Sequence, residues 1–260
     1  AILKAAEEVL FKVKSIRQMA EQYADEKKGS LSIATTHTQA RYALPATIKA
    51  FIERYPDVSL HMHQGTPMQI SEMAADGTVD FAIATEAMEL FSNLIMMPCY
   101  RWNRCILVPR GHALTRLSEL TLEAVAAQPI VTYVFGFTGR SRLDEAFAAN
   151  GLAPRVVFTA TDADVIKTYV RLGLGIGIIA AMAYYETIDG DLVALDASHL
   201  FASSVTQIGC RRDTFLRSYM YEFIEDFAPH LSRDLITEAF KTQTRTELVD
   251  LFAHLELPVY

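Results

Sequence analysis

The sequence predicts an α/β fold built as two units and preceded by one long amphipathic helix. Three observations carry that reading. Strand-like and helix-like segments alternate from Gly29 onward, the alternation restarts after Pro98, and the residues before Gly29 follow a seven-residue apolar repeat instead.

In the opening segment Ile2, Ala6, Val9, Val13, Ile16, Ala20 and Tyr23 recur in alternating steps of four and three, the seam of a coiled coil. Leu3 and Leu10 widen the stripe, and charged residues such as Lys4, Glu7, Lys12 and Arg17 occupy much of the remainder. Such a helix would be about 37 Å long at 1.5 Å per residue. It is marginal alone, so packing against another helix is expected to stabilise it, the alternative being a surface helix lying on its own domain. The run Asp25-Glu26-Lys27-Lys28-Gly29 closes it.

Leu31 to Thr35 reads as a strand, Ala43 to Tyr55 as an amphipathic helix closed by Pro56, and Val58 to Met62 as a strand of period two. Met68 to Ala75 is helical, Gly77 ends it, and Asp80 to Thr85 is a buried strand. A parallel sheet is the natural arrangement of strands separated by helices.

The second alternation begins with strand Cys105–Val108. It continues with helix Leu122–Ala127, strand Ile130–Tyr133, helix Arg142–Ala149, strand Arg155–Thr159, helix Ala163–Leu172 and strand Ile176–Ala180. Strand Val205–Gly209 and helix Phe215–Phe227 follow, with helical segments near Ser232–Lys241 and Thr246–Phe252 in the tail.

Ligands of such sheets bind outside the carboxyl ends of the strands. Those ends carry Thr35-Thr36-His37-Thr38-Gln39, then Thr85, then Val134 to Ser141 with Thr138, and Ala160-Thr161-Asp162. Hydroxyl and amide donors recur there beside helix starts, whose free N–H groups attract anions. The chemistry this suits is capture of a small anion by neutral donors, without a metal or an obligatory counter-cation. Each threonine taken alone is also a good helix cap.

Other patterns carry less. Gly173-Leu174-Gly175-Ile176-Gly177 follows a helix and opens a strand, the reverse of a dinucleotide fingerprint. His61 and His63 share a strand face but have no third ligand at recognisable spacing, so no metal site is expected. There is no GxSxG, HExxH or P-loop, and no nucleophile with its base, so no catalytic residue, cofactor or enzyme activity is expected.

Net charge is −7, with 31 acidic and 24 basic residues, which argues against a chain that grips DNA over its whole surface. Three cysteines without a CxxC pair fit a reducing compartment. No apolar run reaches the roughly 18–20 residues of a membrane helix. The expectation is a piece of a longer cytoplasmic protein, with no membrane association.

The segments Ala34 to Pro45, Phe51 to Pro56, Asp80 to Ala87, Phe135 to Ser141, Phe158 to Arg171 and Thr214 to Tyr221 resemble LysR-type transcriptional regulators of sulfur assimilation, over nearly the whole chain. The resemblance implies two Rossmann-like subdomains of periplasmic-binding-protein type II, an effector cleft between them and a linker helix before them. The family's N-terminal helix-turn-helix has no counterpart in the sequence. Residues 1–28 would be the linker, 29–97 and 205–260 subdomain I, and 98–204 subdomain II, with crossings near Met97–Tyr100 and Phe201–Thr206.

It further implies sulfate, thiosulfate and N-acetylserine as effectors, bound by Thr36, Thr38, Gln39, Thr85 and Thr138. Tyr100, Trp102 and Thr161 would line the same cavity. The intact protein would be a homo-tetramer that activates cysteine-biosynthesis genes and reaches promoter DNA through its missing domain. A solute receptor for sulfur anions is the alternative on the same fold. The heptad helix, the odd cysteine count and the lack of a secretory signal oppose it.

Overall fold

The computed structural model describes residues 9–10, 12–13, 16–17, 19–20, 25–137 and 139–260. Ile2, Leu3, Ala6 and Tyr23 of the apolar repeat, and Thr138, lie outside the described residues. Val9, Leu10, Val13 and Ile16 are helical and 56–68% exposed, so the repeat points outward where it is described.

Ten strands follow among the described residues. They are β1 (Gly29–Thr35), β2 (Val58–Gln64), β3 (Phe81–Ala84), β4 (Leu94–Trp102) and β5 (Arg104–Pro109). The remainder are β6 (Ile130–Tyr133), β7 (Val156–Ala160), β8 (Ile176–Ala180), β9 (Leu192–Asp196) and β10 (Ser204–Arg211). The helices are α1 (Pro45–Arg54), α2 (Pro67–Ala75), α3 (Leu122–Ala126), α4 (Arg140–Ala149) and α5 (Ala163–Arg171). After them come the short α6 (Glu186–Asp189), then α7 (Ser218–Phe227), α8 (Arg233–Lys241) and α9 (Arg245–Phe252).

Two compact units result: the chain up to Tyr100 with Thr206–Leu257, and Arg101–Val205 with Pro258–Tyr260. The first holds the sheet β2-β1-β3-β10-β4, in which β1 pairs parallel with β2 and β3, and β10 pairs antiparallel with β3. One face carries the small residues Ala34, Ala82 and Ala84, which let Ile70 and Ala74 of α2 approach closely. The other packs aromatics: Phe51 of α1 meets Phe223 of α7 edge-on at 5.6 Å between ring centroids, and Phe223 lies 5.9 Å from Phe81.

The second unit holds β7-β6-β8-β5-β9, with β6 parallel to β7 and β8, and β5 antiparallel to β8 and β9. Its core gathers Ile106, Val108, Val125, Ile130, Leu143, Phe147, Ile178 and Phe201. The amphipathic α5 turns Ala163, Ile166, Lys167 and Val170 inward. Lys167 is charged and 3% exposed, and its Nζ meets Asp189 Oδ2 at 2.7 Å. Arg171 ties the same carboxylate at 2.9 Å and Asp191 at 2.7 Å. Burial pushes the Asp189 carboxyl up, but hydrogen bonds from Lys167, the Tyr185 N–H and Arg171 outweigh it and leave it below its usual value.

The first three strands, β1, β2 and β3, pair in parallel as their separation by helices predicts, and the antiparallel strands β10 in the first unit and β5 in the second make both sheets mixed. The segment Met97–Tyr100, expected as a crossing, belongs to the nine-residue β4, and the two units divide at its end, between Tyr100 and Arg101. Pro98 made that run look like a break. An edge strand tolerates proline, because the missing N–H faces away from the ladder, and β4 is at the edge of its sheet. The glycine-rich run is the tight connection from α5 to β8: a Cβ on Gly175 would collide with the Pro129 carbonyl oxygen. No helix among the described residues is long and apolar enough to cross a membrane.

Candidate functional site

In the first unit β1 delivers Thr36 to Gln39 at its carboxyl end, and β3 delivers Thr85. Gln39–Ala43 winds as one π-helical turn, closed by the Leu44 N–H donating to Gln39 O at 3.0 Å. That wide turn carries the chain into Pro45, which starts α1 and has no N–H to place in a tighter turn. Thr36, Thr38 and Gln39 are 8%, 2% and 3% exposed, while Thr85 is half-buried.

Strand β10 runs back beside β3, with Gln207 opposite Ala84. One residue further out, Thr206 Oγ1 lies 3.3 Å from Thr85 Oγ1. Gln39 Nε2 donates to the same Thr206 oxygen at 3.2 Å, and the Tyr100 hydroxyl donates to Gln39 Oε1. Four polar side chains from four elements are therefore linked in one cluster. Thr38 behaves differently: it opens the π-turn without capping it, and its buried Oγ1 has no hydrogen-bond partner among the described residues.

The threonines that do cap helices are elsewhere. Thr66, Thr121 and Thr244 accept from backbone N–H groups at the starts of α2, α3 and α9, and Asp162 caps α5. The alternative that the strand-end hydroxyls merely cap helices thus fails for Thr38, and Thr161 gives that role to its neighbour Asp162.

In the second unit the loop after β6 ends at Gly139, which has φ +69° and starts α4. Arg104, 3% exposed, donates from Nη2 to Gly139 O at 2.7 Å and to Ser204 Oγ at 3.3 Å, and from Nη1 to Ala202 O at 3.1 Å. Its guanidinium carbon lies 5.0 Å from the Trp102 ring centroid. A Cβ on Gly139 would strike Arg104 Nη2, so both space and backbone conformation require glycine. Arg140 anchors the loop's other side, donating to Tyr133 O at 2.8 Å.

Residues 24–232 match the family described as the LysR substrate binding domain. The chain belongs to that family. It is 52% identical to the HTH-type transcriptional regulator CysB of Haemophilus influenzae over 98% of this chain and 79% of the relative. It is 50% identical to the HTH-type transcriptional regulator SsuR of Burkholderia cenocepacia, over 89% of this chain and 75% of that one. The crystal structure of the cofactor-binding domain of the Cbl transcriptional regulator superposes with a TM-score of 0.79 at 44% identity, covering 83% of this chain and 95% of that one. These relatives are transcriptional regulators by name, not enzymes.

Within this LysR substrate-binding domain the expected residues separate into groups. Gln39, Thr85 and Tyr100 meet in the hydrogen-bonded cluster, and Thr36 and Thr38 stand on the same strand end. Trp102 is 1% exposed under Arg104, and Thr161 is exposed just beyond β7. Sequence reasoning missed Thr206 in the cluster of the first unit and, separately, the buried Arg104 of the second. Thr206 alternates with Val205 and Gln207 like any pleated residue, so only the antiparallel pairing of β10 with β3 reveals it. Arg104 precedes the apolar run Cys105–Val108 as an apparent boundary charge, and nothing local marks it as buried.

The cysteines take no part. Cys99, Cys105 and Cys210 are free and buried. Burial pushes the Cys105 thiol up to about 12 and raises Cys99 and Cys210 well above the usual thiol range.

Proposed function

We propose that this chain is the effector-sensing part of a LysR-type activator of sulfur assimilation and cysteine-biosynthesis genes. Its effectors are sulfate or thiosulfate and N-acetylserine, held by Thr36, Thr38, Gln39 and Thr85, with Thr138 carried over from the resemblance. Tyr100, Trp102 and Thr161 are proposed as supporting or lining residues. The observation that supports this most is the hydroxyl and amide cluster at the β1 and β3 ends, beside the buried unpartnered Thr38 Oγ1.

Neutral donors suit a fully ionised oxyanion. Each hydrogen bond to an ionised acceptor contributes about 1.5–3 kcal/mol net. Effector binding acts on transcription only by favouring one arrangement of the protein over another. The intact regulator is proposed to be a cytoplasmic homo-tetramer that contacts promoter DNA through a helix-turn-helix domain, as the family resemblance implies.

A thermal-shift screen with sulfate, thiosulfate, N-acetylserine and O-acetylserine tests the reading, because a ligand that binds the folded state raises Tm with its concentration. A dose-dependent rise with at least one sulfur oxyanion is expected. No shift with any of the four would remove the proposal.

A further inference from the structure

Two side chains at the start of α7 reach back to the place where the chain enters β1. Arg217 is fully buried and donates from Nη2 to Asp25 O at 2.9 Å, and the Tyr219 hydroxyl donates to Ser30 O at 2.9 Å. The guanidinium carbon lies 5.0 Å from the Tyr219 ring centroid. That ring in turn packs edge-on against Phe51 and Tyr55, at 6.2 and 6.0 Å between centroids. Both donors are therefore held by the aromatic face of the first unit. Burying a charged group costs free energy unless its hydrogen bonds are made, so the carbonyl that Arg217 meets is tied to the core.

Gly29 lies between the two contacts. Its φ is +149°, and a Cβ on it would collide with Arg217 Nη1 and crowd the Tyr219 hydroxyl. The sequence reads this glycine as a helix stop; the structure adds that it leaves room for both side chains. Between Asp25 and Gly29 the chain makes a turn, with Glu26, Lys27 and Lys28 exposed. We propose that Arg217 and Tyr219 form a clasp that makes residues 25–30 a fixed joint, so that the chain enters β1 from a set place instead of swinging on a loose linker. Opening the clasp frees the joint without unfolding the sheet, because β1 stays paired with β2 and β3 beyond it. A fixed joint passes movement of the sheet to the segment before it, whereas a loose one absorbs it. The clasp is independent of which ligand the chain binds.

Trypsin tests this, since a protease needs an extended stretch around the bond it cuts. The Lys28–Gly29 bond lies between the two contacts, and cutting it requires Gly29 and Ser30 to leave β1. When opening and closing are fast relative to cleavage, the rate follows the population of the open joint. Cleavage after Lys49, on the exposed side of α1, is the reference, because general loosening of the unit raises both rates alike. Rates at the two bonds are followed by mass spectrometry in the wild-type chain, Arg217→Met and Tyr219→Phe. Arg217→Met keeps a long stem without a donor, and Tyr219→Phe keeps the ring without its hydroxyl. The ratio of Lys28 to Lys49 cleavage is expected to rise about tenfold in Arg217→Met and about threefold in Tyr219→Phe. An unchanged ratio in Arg217→Met overturns the clasp, whether both rates stay as they were or rise together. Should Arg217→Met fail to fold, an unchanged ratio in Tyr219→Phe overturns it equally. A wild-type joint cut as fast as the unfolded chain overturns it without any variant.

Discussion

Gln39 and Thr206 stand 167 residues apart in the sequence and share a hydrogen bond of 3.2 Å between Nε2 and Oγ1. The antiparallel return of β10 beside β3 makes that contact, and it joins the first strand end of the chain to its last strand. Polar side chains buried in this way are costly unless satisfied, and satisfied they fix a geometry.

Thr38 offers a separation of function from stability. Its buried Oγ1 lacks a partner among the described residues, and an unsatisfied buried hydroxyl costs about 1–3 kcal/mol. Thr38→Val is expected to raise the unfolding free energy by about 1 kcal/mol while weakening sulfate binding. Urea unfolding and calorimetry on the same preparation check both. A variant that binds as well as the wild type would show that Thr38 is no ligand donor.

Gly139 is expected to tolerate no side chain. Its φ is +69° and a Cβ would strike Arg104. Gly139→Ala should cost more than about 1 kcal/mol, since alanine at positive φ adds strain to the displaced guanidinium. Chemical denaturation measures it, and an unchanged midpoint would contradict the account of this loop.

Asp189 sets an acid limit on the second unit. Its carboxyl is held below the usual value, so its contribution to stability is present above the unfolded carboxylate pKa and is lost as pH falls through the folded one. Asp189→Asn removes the charge that faces the buried Lys167 ammonium at 2.7 Å and should cost about 3 kcal/mol at neutral pH. The gap from wild type should narrow toward acid pH. Tm measured against pH tests this, and a gap that widens on acidification would reverse the sign assigned here.

The three thiols are buried, with their ionisation suppressed. Native protein should react slowly with a thiol-specific chromogenic disulfide, and denatured protein should release three equivalents at once. Rapid reaction of one thiol in the native state would show a local opening that the fold does not account for.

Much of the fold was legible because apolar period and helix punctuation are local properties. Ile130–Tyr133 and Ile176–Ala180 have the same bounds in sequence and structure. What was not legible depends on partners. Pro98 reads as a break until β4 is known to be an edge strand, and β9 is a short edge strand whose side chains are mostly half-buried. The π-turn at Gln39–Ala43 leaves no periodic trace, being a single turn. In the candidate site of the first unit, strand-end hydroxyls were visible as a pattern, whereas Thr206 acquires meaning only through strand pairing, and in the second unit Arg104 does so only through burial.

Sulfate titrated calorimetrically into the wild-type chain, Thr36→Ala and Thr138→Ala tests the donor site most directly. Loss of one donor to an ionised oxyanion should weaken binding by about 10- to 100-fold in each variant, with Tm in the absence of ligand close to wild type. Wild-type affinity in both variants would contradict the site.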